Sequence, residues 1–363
     1  MMWKFLLLSA VVFVWVGLSH THFASAASRP RVLVLATGGT IAGSAASPEN
    51  VTGYRSGVIG IDELLSAVSE IQSFADVKGE QLCNIDSKDM TDEILTRLAA
   101  RVNEILAENE TDGIVITHGT DTMEETAFFL SLTVKSAKPV ILTGAMLPAT
   151  ARNADGPRNL LDAVRVAASP ESSGKGVLVV MNGKIFAAKE VTKTHTTKID
   201  AFAAPDSSPL GHVDDNGVAF ERTPNLPRLH FPADSPLPRV DILYGHEGDD
   251  GALVEAALRA GTKGIVYAGM GNGNIPAKAE KALAKASEKG IVVVRASRSN
   301  SGPVVPADPS YTAAGFIDSG MLNPQKSRVL LRLALGQTGN REEVRRIFEC
   351  SSQQKLDTKN GNE

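Results

Sequence analysis

Two stretches early in the chain place hydroxyl and carboxylate side chains directly behind apolar runs. Residues 31–43 read R-V-L-V-L-A-T-G-G-T-I-A-G, and residues 113–130 read G-I-V-I-T-H-G-T-D-T-M-E-E-T-A-F-F-L. In each, a Val/Ile/Leu run of strand length gives way to a short polar turn, the pattern of a strand buried on both faces. Thr40 would then stand at the C-terminal end of one parallel strand, with Thr120 and Asp121 beyond the end of another. Open α/β sheets hold their ligands at such ends. Gly38 and Gly39 carry no Cβ and let the backbone turn sharply beside a ligand. Two Thr hydroxyls and one carboxylate at one sheet edge suit covalent catalysis. A Thr hydroxyl is a poor nucleophile unaided; it needs a neighbour to take its proton and donors to stabilise the oxyanion. The same residues have plainer readings. Thr40 can bond its own backbone in a strand-to-loop turn, and Asp121 can cap a helix.

The elements that would position these residues alternate along the chain. Helices are expected over residues 61–69, with Asp62 and Glu63 at the N-terminus, over 91–108, from Thr122 onward, and over 157–168. Thr122 with Glu125 three residues on has the spacing of a capping box. Strands are expected over 113–117, 140–143 and 176–181. Residues 44–57 carry no period, and a loop of that length is often an active-site lid. Pro224, Pro227, Pro232, Pro236 and Pro238 mark a semi-rigid linker over 220–239. A second alternation follows: strands at 240–244, 264–268 and 291–295, helices at 252–260, 277–289, 328–335 and 342–348. The fold class is therefore α/β, with two doubly wound α/β domains: a larger N-terminal one (28–219) with a mostly parallel sheet and a smaller C-terminal one (240–353). Gly269-Met270-Gly271-Asn272-Gly273-Asn274 follows a strand like a dinucleotide fingerprint, but Asn stands at the sixth position, and no nucleotide site is expected.

Composition narrows the function classes. The chain has 363 residues, 43% of them hydrophobic, enough for a sizeable core. Lys plus Arg number 37 and Asp plus Glu 41, without a basic patch, so nucleic acid is not an expected partner. Lys4, an apolar run over 5–18 and Ala24-Ser25-Ala26 together read as a cleavable signal peptide of residues 1–26. Its removal takes one lysine with it. The mature chain is expected in the periplasm or outside the cell, free of the membrane, and residues 354–363 are expected to be a polar tail. Cys83 and Cys350 are far apart in sequence, and free thiols are expected. Asn50-Val51-Thr52 and Asn109-Glu110-Thr111 fit a glycosylation pattern that matters only in a eukaryotic secretory pathway. No His/Cys cluster suggests a metal, and no cofactor motif is present.

The motif A-T-G-G-T-I-A-G at 36–43 and the motif T-H-G-T-D-T-M-E-E-T-A at 117–127 resemble those of the bacterial-type, exported L-asparaginase and glutaminase-asparaginase family. The resemblance continues through G-E-Q (79–81), A-D-G-P (154–157), V-T-K-T (191–194), G-N-G-N (271–274) and L-N-P-Q-K (322–326). It implies an L-asparagine amidohydrolase giving L-aspartate and ammonia, with a side activity on L-glutamine or, as the alternative, comparable activity on both, and a homotetramer built from two tight dimers. It implies Thr40 as the acylated nucleophile, with Tyr54 contacting it from the closed lid, and a second group of Thr120, Asp121 and Lys193 that assists proton transfer. Lys193 could lower the pKa of a neighbouring hydroxyl or act as a base; which Thr attacks first stays open. Ser87 matches the residue that holds the α-carboxylate, and Asp121 the partner of the α-ammonium. Asn274 matches a residue that reaches a neighbouring subunit's site, and Asp308 falls roughly where the family places another.

Three positions depart from the pattern. Lys88 stands where the family usually has Gln or Glu facing the α-ammonium, and His246 where an aromatic is common. The two cysteines do not match the disulfide some members carry. Lys88 is expected to turn out of the pocket or pair with an acid, Asp308 of a neighbouring chain being the first candidate. A different class, an exported amino-acid-binding protein without catalysis, also suits two α/β domains behind a leader. It has no need for Thr40, Tyr54 and Lys193 together.

Overall fold

The structure, a computed structural model, describes residues 28–352. The leader expected at 1–26 and the tail at 354–363 lie outside them. In the first part of the chain the strands are β1 (Arg31–Gly38), β2 (Asp76–Ile85), β3 (Gly113–Thr117), β4 (Val140–Thr143) and β5 (Val177–Met181). They lie in the order β2-β1-β3-β4-β5, every neighbouring pair parallel. The helices between them are α1 (Ile61–Ser66), α2 (Asp92–Ala107), α3 (Met123–Thr133) and α4 (Gly156–Ala168).

Strand alternation explains why both faces are covered. Ile114 and Ile116 of β3 join α2 and α3 on one side, while Val115 joins α1 and α4 on the other. These strands need a continuous apolar run for that reason. α2 starts at Thr91, whose hydroxyl accepts the Ile94 amide at 3.3 Å. Thr122 does precede α3, but its hydroxyl does not cap the helix. It donates instead to Ser87 O at 2.8 Å, tying the loop after β3 to the turn after β2. The capping-box expectation thus has the boundary and not the bond.

The sheet extends beyond β5 through antiparallel strands β6 (Lys184–Ala187), β9 (Gly211–Asp214) and β10 (Gly217–Phe220), with a separate short ladder between β7 (Thr192–Lys193) and β8 (Phe202–Ala203). These strands are short and mixed in composition, and their sequence carries no clear period. The loop over 44–57 is also more structured than its composition suggests. Ser44 and Arg55 form an antiparallel bridge, with backbone bonds of 2.9 and 3.0 Å, that closes its base.

A second parallel sheet, β11 (Val240–Tyr244), β12 (Gly264–Gly269), β13 (Val292–Ser297) and β14 (Ile317–Asp318), runs in that order. α5 (Ala252–Arg259) and α6 (Ala277–Glu288) cover one face; a short α7 (Pro309–Ala313) follows. α8 (Pro324–Gln337) and α9 (Arg341–Ser352) cover the other face, and α8 packs on α3. One apolar cluster therefore runs from the first sheet through α3 and α8 into the second. α3 is buried nearly all round because it is enclosed on both sides. Arg332 of α8 grips the Asp92 carboxylate of α2 through both guanidinium arms, at 2.8 and 2.5 Å. Among the described residues no helix is long and apolar enough to cross a membrane.

The glycine-rich loop after β12 is not a phosphate cradle. The Arg295 guanidinium, fully buried, fills it, donating to Asn272 O and Gly273 O at 2.9 and 3.2 Å and to Asp318 at 2.6 Å. Cys83 and Cys350 are both free: Cys83 is half-buried beside Thr37 O, and Cys350 is exposed.

Phe128 has no exposed surface and sits in the shared cluster. Phe128→Ala is expected to lower the unfolding free energy by about 3–5 kcal/mol. Denaturant unfolding followed by far-UV circular dichroism measures it.

Candidate active site

β1 lies between β2 and β3, so three strand ends meet at one edge. Gly38 and Gly39 follow with φ of 105° and 79°, backbone that L side chains rarely adopt. They also make room. A Cβ on Gly39 would come within 2.4 Å of the Gly119 nitrogen, so the loops after β1 and β3 touch backbone to backbone. Thr37 Oγ1 donates to Thr117 O at 2.8 Å just below this contact. Thr40 and Thr120 are carried by these two loops, and both line one cleft of about 300 Å³.

Thr40 opens a one-turn 3-10 helix and is 8% exposed. Its Oγ1 lies 2.6 Å from the Tyr54 hydroxyl, which the bridged loop brings over it. Gly43 is needed for that approach, since a Cβ there would sit 2.9 Å from the Tyr54 ring. On the other side, Lys193 Nζ donates to Thr120 Oγ1 at 2.9 Å and to Asp121 Oδ1 at 2.6 Å. The lysine side chain is 16% exposed, and the cleft also takes in Ser87. Ser87 is 2% exposed, and its hydroxyl has no hydrogen-bond partner among the described residues.

Six of the residues singled out from sequence, Thr40, Tyr54, Ser87, Thr120, Asp121 and Lys193, thus line one cleft. Asn274 and Asp308 do not line it. Asn274 closes a backbone bridge with Met270, and Asp308 caps α7 by accepting the Ser310 amide at 2.9 Å. Lys88 points away into solvent. Its ammonium donates to Asp86 at 2.6 Å and lies 3.7 Å from Asp89, so the pairing is made inside the chain and does not call on Asp308. Partial burial pushes the Asp86 carboxyl up, but hydrogen bonds from Lys88 and Ser56 outweigh it and leave the group below its ordinary value.

Several supporting residues had no assigned role in the sequence. Asp155 accepts the Met146 and Leu147 amides at 2.9 Å each, holding the cleft wall in place. Gln81 accepts the Ile61 amide at 3.1 Å and donates to Cys83 O at 2.6 Å, fixing the strand that leads to Ser87. His118 is fully buried beneath Gly119 and Thr120, between Gly119 O at 2.7 Å and Thr126 Oγ1 at 3.0 Å. Membership of a shared motif was the available signal for all three. Among the described residues no group of His, Cys, Asp and Glu side chains could hold a metal ion.

Comparison with known proteins decides the family. A family model described as "Asparaginase, N-terminal" matches residues 31–226, and one described as "Glutaminase/Asparaginase C-terminal domain" matches 239–348. The chain belongs to the asparaginase family. A protein named "Probable L-asparaginase periplasmic" from Haemophilus influenzae is 48% identical, over 90% of this chain and 94% of its own. "L-asparaginase 2" from Bacillus subtilis is 43% identical, over 94% and 97%. The crystal structure of a "Probable Cytoplasmic L-asparaginase" from Campylobacter jejuni superposes with a TM-score of 0.84 at 46% identity, covering 88% of this chain and 99% of that one. As a member of the asparaginase family, the protein is an amidohydrolase.

Burial lowers the His118 pKa to about 4, from an ordinary 6.5. The folded state therefore holds the ring neutral while the unfolded chain takes up a proton, so this ring's contribution to stability is fully present above pH 6.5 and is lost as pH falls toward 4. Replacing the ring by His118→Gln is expected to flatten this acid-side slope by one proton, about 1.4 kcal/mol per pH unit. Urea unfolding at stepped pH reads the slope.

Proposed function

We propose that the protein hydrolyses L-asparagine to L-aspartate and ammonia through an acyl-enzyme on Thr40, with L-glutamine as a slower substrate. The observation that carries the reading is the pair of hydroxyl contacts in one cleft: Thr40 with Tyr54 at 2.6 Å, and Thr120 with Lys193 at 2.9 Å. The relatives' names supply the substrate. Thr40 Oγ attacks the side-chain amide carbon and passes its proton toward Tyr54. Backbone amides of the loops after β1 and β3, which carry Thr40 and Thr120, meet the oxyanion. The C–N bond breaks, and the leaving nitrogen takes a proton and departs as ammonia. Water then attacks the ester, Lys193 as the free amine takes the water's proton through the Thr120 hydroxyl, the acyl C–O bond breaks, and that proton returns to Thr40 Oγ as L-aspartate leaves.

The unpartnered Ser87 hydroxyl suits an α-carboxylate, and Asp121 suits an α-ammonium. Lys88, already neutralised by Asp86, leaves that ammonium unopposed. Glutamine is longer by one methylene, which a pocket of this kind separates by roughly 10–200-fold. We further read residues 1–26 as a leader for export to the periplasm or beyond, 220–239 as the linker between two domains, and the assembly as a homotetramer. Asn274 and Asp308, remote from their own chain's cleft, fit a role in completing a neighbour's.

The purified mature chain is expected to release ammonia from asparagine. Thr40→Ala is expected to lower kcat by about a thousandfold or more, with the melting temperature within about 5 °C of the parent. Activity within about tenfold of the parent would remove Thr40 from the nucleophile's role. For the assembly, inactive Asn274→Ala chains mixed with inactive Thr40→Ala chains are expected to regain turnover. A fully active monomer in sedimentation would sink that part.

A further inference from the structure

Lys193 lies on a two-residue strand, β7, whose ladder with β8 is too short to fix a long side chain by itself. Its neighbour Thr192 points to the opposite side of the strand, as successive strand residues do. There Thr192 donates its hydroxyl to the carboxylate of Glu124, a residue only 6% exposed. Glu124 stands at the start of α3, three residues beyond Asp121 and four beyond Thr120. One buried carboxylate therefore joins the two arms whose tips meet as Lys193 and Thr120.

The remaining ligands of that carboxylate come from the second half of the chain. Gln325 Nε2 donates to Oε1 at 2.6 Å, and Asn323 Nδ2 donates to Oε2 at 3.3 Å and to Thr192 Oγ1 at 2.9 Å. Asn323 Oδ1 meanwhile caps α8 through the Lys326 amide at 3.0 Å. The buried Lys326 ammonium, 3.9 Å from Glu124, donates to the carbonyls of Lys189 and Val191, just before β7. A buried carboxylate left unpaired is strongly unfavourable, so these donors hold Glu124 and Glu124 holds them.

We propose that Glu124 and Thr192, clamped by Asn323, Gln325 and Lys326, are positioning residues for the hydrolytic reaction: they set the angle at which Lys193 meets Thr120. The second part of the chain thereby orders the proton-transfer group of its own cleft. This rests on the reading of Lys193 given above. A displacement of about 1 Å in a proton-transfer group can lower turnover about a hundredfold while leaving substrate binding nearly intact.

The test compares Thr192→Val and Thr192→Ala with Thr192→Ser, and all three with Lys193→Met, by asparagine turnover and melting temperature. The apolar variants are expected to lower kcat by about 10–100-fold with KM within about threefold, and Thr192→Ser, which keeps the hydroxyl, to stay within about threefold of the parent. Thr192→Ala adds no bulk, so a fold damaged by valine alone does not remove the comparison. If Lys193→Met is inactive while both apolar variants turn over at the parent's rate, the positioning role is overturned and the reading of Lys193 stands. A serine variant as slow as the apolar ones overturns it likewise. If Lys193→Met itself retains full activity, the reading of Lys193 fails first, and the positioning role falls with it.

Discussion

Everything at the candidate site depends on one contact, that between Gly39 and the Gly119 amide. The strands beneath it are set by parallel pairing, and their spacing leaves little latitude. The loops that leave them can approach only if neither carries a side chain at the crossing point. Any other residue at 39 would push the loops apart and draw Thr40 away from Thr120. The glycines of the first motif are thus a packing requirement as much as a conformational one. Gly43, which admits the Tyr54 ring, extends the same logic by one turn.

Around this contact the molecule distributes its tasks by distance from the centre. The strand ends supply hydroxyls. The turn after β2 supplies Ser87 and neutralises its own lysine through Asp86. The bridged loop supplies Tyr54, and a short ladder supplies Lys193. Each supporting group is polar, with donors and acceptors matched: half-buried Asp155 under one wall, buried His118 under the Thr120 loop, buried Glu124 behind Lys193. Matched buried networks of this kind specify one geometry because a half-made alternative leaves polar groups unsatisfied.

How much of this the sequence shows varies with the physics involved. The parallel strands are legible because burial on both faces demands continuous runs such as G-I-V-I-T and V-L-V-V-M. The antiparallel extension is not, since K-I-F-A, G-H-V-D and G-V-A-F are too short and mixed to show a period. The loop at 44–57 looks structureless because a single bridge between Ser44 and Arg55 has no signature in composition. The residues of the cleft are legible as members of motifs, while their grouping depends on contacts between segments far apart in the chain. Glu124 is the extreme case: nothing in M-E-E marks one glutamate as buried, and its partners Asn323 and Gln325 stand about two hundred residues downstream. Thr122 reads as a cap and spends its hydroxyl on Ser87 instead, a choice made by tertiary neighbours and not by local spacing.

The apolar cluster that passes from the first sheet through α3 into α8 has a consequence for how the molecule comes into being. A ribosome delivers the chain from its N-terminus. The first sheet can pair its strands early, but the outer side of α3 has no cover until α8 arrives, nearly at the end of synthesis. For most of its birth the protein therefore carries a greasy flank that only its own last helices can shield. A chain cut short before residue 324 would keep its chemistry-bearing loops and still be prey for chaperones and proteases.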